Sequence, residues 1–211
     1  MSGRFITFEG IDGSGKSTQL VILAGKLRIQ GFDVLTTKEP GGTALGKRLR
    51  TAFLETEEAV APLAELLLFA ADRAQHVNFL VKPALSEGKI IISDRYADAT
   101  FAYQGAGRGF SAETVNQVIE LATDRLKPDL TLFFDLPVEI ALERTGNRSE
   151  NGEKKNRMDK ETADFYTRVR EAYLKISRIE PRRFFVIDAA GSIEEVHARV
   201  MKTVGKFLDL K

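Results

Sequence analysis

The stretch Gly10-Ile-Asp-Gly-Ser-Gly-Lys-Ser-Thr18 carries G-x-x-x-x-G-K-[ST], with Gly10, Gly15, Lys16 and Ser17 at the fixed positions. Holding a polyphosphate needs these residue types at this spacing. Glycines let the backbone curl until successive N–H groups point into one anion-binding concavity at a helix N-terminus. We therefore assign the nucleotide phosphates to Gly10, Asp12, Gly13, Ser14, Gly15, Lys16, Ser17 and Thr18. Lys16 reaches the β- and γ-phosphates as a point charge, and the Ser17 hydroxyl can ligate Mg²⁺. A second acidic candidate is Asp94, directly followed by Arg95. Asp94 can hold Mg²⁺ through its water shell, and Arg95 can grip a phosphate with two parallel hydrogen bonds. Alone, an Asp-Arg pair is more simply an ion pair at a strand end; beside a P-loop the phosphate reading gains.

Other candidates are less specific. Arg73 follows Phe69 by one helical turn, so both project from one face. A ring beside a guanidinium suits a nucleobase, and a core Phe beside a surface Arg is an equal reading on spacing alone. Arg50 reads equally as a solvated charge. From Gly146 to Arg157 the chain has no apolar side chain, and it offers Arg148, Lys154, Lys155 and Arg157, with Arg144 just before it. Phosphoryl transfer needs positive charge over the migrating group and exclusion of water, often by a closing lid. The P-loop supplies only Lys16, so residues 146–158 are expected to form a lid loop. His76 and His197, the only histidines, lack matching partners and read as structural.

These residues need elements to place them. Arg4–Glu9 reads as a strand before the Gly-rich loop, and Leu20, Leu23, Ala24 and Leu27 recur at helical spacing until Gly31. Further strands are expected at 33–37, 89–94, 130–135 and 183–188. Helices are expected at 44–54 and 62–79, near 83–86, from Ser111 to about Asp124, after Pro137, after an Asp159 cap, and over 193–207. Strands and helices alternate, which predicts one domain over residues 1–211. It is an α/β fold with a five-stranded parallel sheet covered by helices on both faces. Glu9, Glu39, Asp94 and Asp135 fall at strand ends, where ligands bind in such sheets.

Composition narrows the classes. A length of 211 residues and a net charge of +1 suit one soluble domain without the basic field of a nucleic-acid binder. The chain has no cysteine, which excludes disulfides and thiolate metal sites and fits a cytoplasmic enzyme. The first strand starts almost at the N-terminus, leaving no room for a signal peptide, and no apolar run is long enough to span a bilayer.

Taken together, FEGIDGSGKST, the EPGGT loop, LLFAADRAQH, DRYADATFAYQG, FFDLPVEIALER, the basic lid and RVREAY resemble thymidylate (dTMP) kinases over nearly the whole chain. The resemblance implies a P-loop nucleoside monophosphate kinase fold and phosphorylation of dTMP by Mg-ATP for dTTP synthesis. It implies that Phe69 stacks on thymine, that Arg73 bonds its carbonyl, and that Thr100 and Gln104 lie near the base. Tyr103 would crowd the sugar 2′ position. Arg95 and Arg50 would hold the acceptor phosphate, within a pocket completed by Glu39 and Pro40. Asp12 would act beside the phosphates, and a homodimer is the family's usual assembly. Gly13 stands where one branch of the family has an arginine, which assigns the catalytic arginines to the lid. Arg148 and Arg157 are then the candidates, beside Lys16, Asp12 and Arg95, with Arg144 left open. The alternatives are a P-loop kinase for another acceptor and a non-catalytic nucleotide switch. A GTP switch should carry N-K-x-D, which is missing from this sequence.

Overall fold

The computed structural model describes residues 3–150 and 157–210, with 148–150 in backbone only. Five strands, β1 (Arg4–Glu9), β2 (Val34–Lys38), β3 (Ile90–Asp94), β4 (Leu130–Asp135) and β5 (Phe184–Asp188), form an all-parallel sheet in the order β2-β3-β1-β4-β5. Apolar runs such as Ile90-Ile-Ile92 suit strands covered on both faces. Alternation sorts them: Ile6, Phe8, Ile90 and Ile92 join the larger core, while Phe5 and Ile91 pack with Val77, Val81 and Tyr96. Strand order reverses at β1, so the loop leaving it opens into the crevice between β3 and β4, the switch point where such sheets bind ligands. In register, Phe8 lies opposite Asp94, which brings the P-loop and the end of β3 to one edge.

Helix α1 (Lys16–Ile29) buries Leu20, Leu23, Ala24 and Leu27, and the chain turns at Gly31 with φ of 88°. Helix α2 (Ala44–Leu54) starts where the Thr43 hydroxyl accepts from Gly46 N–H. Helix α3 (Pro62–His76) has proline in its first turn, a position that needs no N–H donor. It widens into π-helical turns over Val77–Val81 and continues as α4 (Lys82–Ser86), so the expected helix and its short successor are one continuous rod. Helix α5 (Ala97–Thr100) likewise passes into π-helical turns over Phe101–Gly107. This helical segment has no counterpart among the sequence expectations, because turns closed over five residues leave no 3.6-residue periodicity. Helix α6 (Ala112–Thr123) is capped by Ser111, as expected.

The basic segment differs from expectation. Helix α7 (Val138–Glu150) carries on through 146–150, the first part of the expected loop. Residues 151–156, with Lys154 and Lys155, lie outside the described residues. A 3₁₀ turn follows at Arg157–Lys160, then α8 (Ala163–Ile179), capped by Thr162 and not by Asp159. Thr162 wins because its hydroxyl accepts from Phe165 N–H, three residues on, while Asp159 belongs to the separate turn. Helix α9 (Ile193–Phe207) opens with a reciprocal capping box between Ser192 and Glu195 and packs beside α1.

Candidate active site

The P-loop is backbone geometry first. Gly13 has φ of 86°, and a Cβ there would sit 2.4 Å from the Ala141 carbonyl oxygen on α7. Only glycine gives both the left-handed turn and that close approach. Lys16 is 4% exposed, and its Nζ donates to the Ile11 carbonyl at 2.9 Å. Burial, with Arg95 nearby, lowers its pKa from the ordinary lysine value. Ser17 Oγ donates to Asp94 Oδ2 at 2.6 Å. Two hard oxygen donors side by side, one in the first turn of α1 and one at the end of β3, suit Mg²⁺. Among the described residues there is no group of three or more His, Cys, Asp or Glu that could hold a metal by itself.

Arg95 sits immediately beyond β3 at φ of 71°, left-handed for a non-glycine residue. Such backbone persists only where its surroundings over-determine it. Here the backbone N–H donates to the Phe8 carbonyl at 2.9 Å. The guanidinium donates to Gly10 O and the Tyr103 hydroxyl, each at 3.0 Å, and to Asp12 Oδ1 at 2.8 Å. It also lies 4.9 Å above the Tyr103 ring. One charge therefore ties the P-loop to the wall of the neighbouring cleft.

That wall is built around Arg73, which is 2% exposed. Its Nε donates to Glu39 Oε2 at 2.7 Å, Nη1 to Thr100 Oγ1 at 2.7 Å, and Nη2 to the Tyr96 carbonyl at 3.0 Å. Glu39 Oε1 takes His76 Nδ1 at 2.7 Å, and His76 Nε2 shares a hydrogen bond with Thr37 Oγ1 at 2.8 Å. Burial pushes the Glu39 carboxyl up, but Arg73 and His76 outweigh it and hold the group below the usual carboxylate range. Phe69 meets Phe53 edge to face, with ring centroids 4.8 Å apart. Arg50 Nη1 donates to the Pro40 carbonyl at 3.4 Å, and Gln104 Nε2 to Glu65 Oε1 at 2.9 Å.

All nine residues expected to hold the acceptor line this one cleft: Glu39, Pro40, Arg50, Phe69 and Arg73 from one side, Arg95, Thr100, Tyr103 and Gln104 from the other. Asp12, Ser17 and Asp94 complete its rim. Leu54 and Met158 also line it without having been expected. His76 and Glu65 are buried supports of Glu39 and Gln104, not surface groups. Their signal was present in the spacing, since both lie one turn from Arg73 or Phe69 on α3.

A second hollow lies across the P-loop, lined by Gly13, Gly15, Thr18, Arg144, Asn147 and Ile193 among others. Ser14 belongs to it, and Gly10 begins the turn with φ of 139°. Arg144 Nη1 donates to the Gly13 carbonyl at 3.4 Å. Gln19 bridges α1 to α9, donating to Ile193 O at 2.8 Å and pairing with His197 Nδ1 at 3.0 Å. The expected arginines thus part company. Arg144 lies on the P-loop. Arg157 Nη2 binds Glu65 Oε2 at 2.6 Å and its Nε binds Phe53 O at 3.2 Å, on the acceptor side. The Arg148 side chain lies outside what is described.

A phosphate-binding loop at the switch point of this sheet, with a hollow on each side of it, defines a P-loop nucleoside monophosphate kinase. The thymidylate kinase family model matches residues 8–200, and the chain belongs to that family. It is 44% identical over 205 residues to the thymidylate kinase of Pelobacter propionicus, covering 96% of this chain and 94% of that one. To the thymidylate kinase of Halothermothrix orenii it is 47% identical over 204 residues, 97% of each chain. The crystal structure of thymidylate kinase from Ehrlichia chaffeensis matches with a TM-score of 0.77 at 35% identity, over 97% of this chain and 99% of that one.

Proposed function

We infer that this chain transfers the γ-phosphoryl group of ATP to dTMP, giving dTDP for dTTP synthesis. The observation that carries this reading is the cleft that joins Phe69, Arg73 and Gln104 at one end to Arg95, Asp94 and Ser17 at the other. It suits a base at the first end and a phosphate beside the P-loop at the second.

In this reading Phe69 stacks on thymine, Arg73 donates to a base carbonyl, Thr100 and Gln104 flank the ring, and Tyr103 crowds the sugar 2′ position. Glu39 and Pro40 shape the wall. Arg95 and Arg50 grip the acceptor phosphate, and Asp12 orients Arg95 through their ion pair. A phosphate monoester has a second pKa near 6, so the acceptor is largely dianionic at neutral pH and needs no general base. Catalysis reduces to aligning two anions and neutralising charge on the migrating group. The P-loop N–H groups and Lys16 do this on the donor side and Arg95 on the acceptor side. Mg²⁺, held by Ser17 and by Asp94 through water, would supply further neutralisation of the phosphates. Of the arginines near the lid, Arg144 is the best placed to cover the donor phosphates. We keep Arg148 as a second candidate and give Arg157 a place in the acceptor wall.

We further propose a homodimer, supported by apolar side chains exposed on neighbouring helices. Leu63 and Leu67 on α3, Leu121 on α6 (84% exposed) and Phe79 beyond α3 (73% exposed) face solvent in one chain. Sedimentation at micromolar concentration checks it. No described helix is long and apolar enough to cross a membrane. We propose the cytoplasm as the compartment, on the cysteine-free composition.

The decisive experiment is ADP release from Mg-ATP against dTMP, dUMP, UMP, dCMP, AMP, GMP and shikimate. Strong turnover with dTMP and weaker with dUMP is expected. A preference for any other acceptor would leave the P-loop chemistry intact and refute the pocket reading.

A further inference from the structure

Glu65 is fully buried on α3 behind the cleft and accepts four hydrogen bonds. Its Oε1 accepts from Gln104 Nε2 at 2.9 Å and from Arg108 Nε at 3.1 Å. Its Oε2 accepts from Arg108 Nη2 at 3.1 Å and from Arg157 Nη2 at 2.6 Å. Glu161 takes a further Arg108 bond at 2.5 Å and so fixes that arginine from the other side. Burial pushes the Glu65 carboxyl up, but the bonds from Arg108, Gln104 and Arg157 outweigh it and hold the group below the usual range.

An ionised carboxylate can only accept hydrogen bonds. The Gln104 atom facing it must therefore be the amide nitrogen. The Gln104 carbonyl oxygen is left on the other side of the amide, in a residue that lines the acceptor cleft. Arg73, in the same cleft, spends three of its five N–H groups on Glu39, Thr100 and Tyr96, and can offer the others. The wall thus presents an acceptor beside a donor.

We propose that Glu65 is a positioning residue for base selection: by locking the Gln104 amide it turns an acceptor toward the cleft, favouring a base with a ring N–H beside a carbonyl over one with a ring acceptor beside an amine. This rests on the reading that the cleft holds a pyrimidine base. Thymine and uracil present N3–H and O4, which match the wall. Cytosine presents a bare N3 and an amino group, so acceptor would face acceptor and donor would face cation. A free Gln104 could rotate its amide and serve either base; Glu65 removes that freedom.

The test is Glu65→Gln, whose own amide can either donate or accept, assayed for kcat/KM with dTMP, dUMP and dCMP. The ratio of dTMP to dCMP should fall about tenfold or more, the scale of one mismatched buried hydrogen bond. The ratio of dTMP to dUMP should hold, because both bases share the same edge. A merely structural Glu65 would lower all three alike, and that result, or an unchanged dTMP-to-dCMP ratio, overturns the proposal. The parent assay separates the two readings: no dTMP turnover by the unsubstituted enzyme refutes the pocket, whereas normal turnover with an unmoved ratio in E65Q refutes only the role of Glu65. Should E65Q not fold, NMR of the unsubstituted enzyme decides. The Gln104 side-chain amide protons should keep their shifts and solvent protection when dTMP binds; a large shift, marking donation to the base, would overturn the proposal.

Discussion

The two sides of the P-loop are built by different means. On the proposed acceptor side, buried and half-buried polar groups hold one another: Arg73 with Glu39, Glu39 with His76, Glu65 with Arg108 and Arg157. On the donor side the shape comes from glycine backbone, and the charged groups make single bonds to carbonyls, Lys16 to Ile11 and Arg144 to Gly13. A base is a neutral object with a fixed donor and acceptor pattern, so its pocket gains from rigidity set before binding. A triphosphate is an anion that many N–H groups can cradle, so its site needs backbone shape and movable cations. On the proposed reading the acceptor side therefore couples recognition to folding, and the donor side does not.

That contrast can be broken experimentally, most sharply at Arg73. Arg73→Met leaves Glu39 buried with half its partners, which should cost about 3–5 kcal/mol of stability by urea unfolding and weaken dTMP binding together. A variant as stable as the parent would remove the contrast at its base. Next comes Lys16→Ala, expected to lower kcat by roughly 10²–10³-fold, the scale of one lost transition-state donor, with an unfolding midpoint near the parent's. Turnover close to the parent rate would sink the mechanism. Arg144→Ala should be milder, about tenfold in kcat with KM for dTMP unchanged, because the loss sits on the donor side. A rise in the dTMP KM instead would place Arg144 with the pocket.

A last effect, on the fold as a whole, is in pH. Glu9 accepts from Tyr96 N–H at 2.7 Å and from the Tyr173 hydroxyl at 2.8 Å, and burial, with Asp98 adding to it, pushes its carboxyl up from 4.5 to about 8. Asp72, which anchors Gly41 N–H at 3.1 Å, is pushed up to about 6 by burial and Glu39. In both cases the folded chain holds a proton that the unfolded chain has released, so stability falls as pH rises through these windows. Glu39 and Glu65, held below their ordinary value, act oppositely and lose their contribution as pH falls below about 4.5. Thermal melts should thus decline from about pH 5 to 8, and Glu9→Gln should flatten the upper part of that decline. A parent melt that rises across the window would contradict the assignment.

What could be read from the order of the residues alone is local or periodic. The P-loop signature, the five apolar strands and their alternation with helices, the Ser111 cap and the Phe69–Arg73 spacing all depend on neighbours within a turn or a strand, where covalent spacing dictates geometry. The family resemblance then added the remaining pocket residues and gave them roles, and the fold brings all of them into one cleft from α2, α3, the loops after β2 and β3, α5 and the π-helical turns after it. Which side chain supports which came from packing. That His76 backs Glu39, that Glu65 gathers Gln104 and two arginines, and that Arg144 and Arg157 serve opposite sides follow from packing across 37 to 131 residues of chain. The run of α7 through 146–150, where a polar composition had argued for a loop, was likewise visible only in the structure. Composition records whether a segment can fill a core; it does not record the hydrogen bonds that let a polar segment stay helical, or the partner that makes a buried charge tolerable.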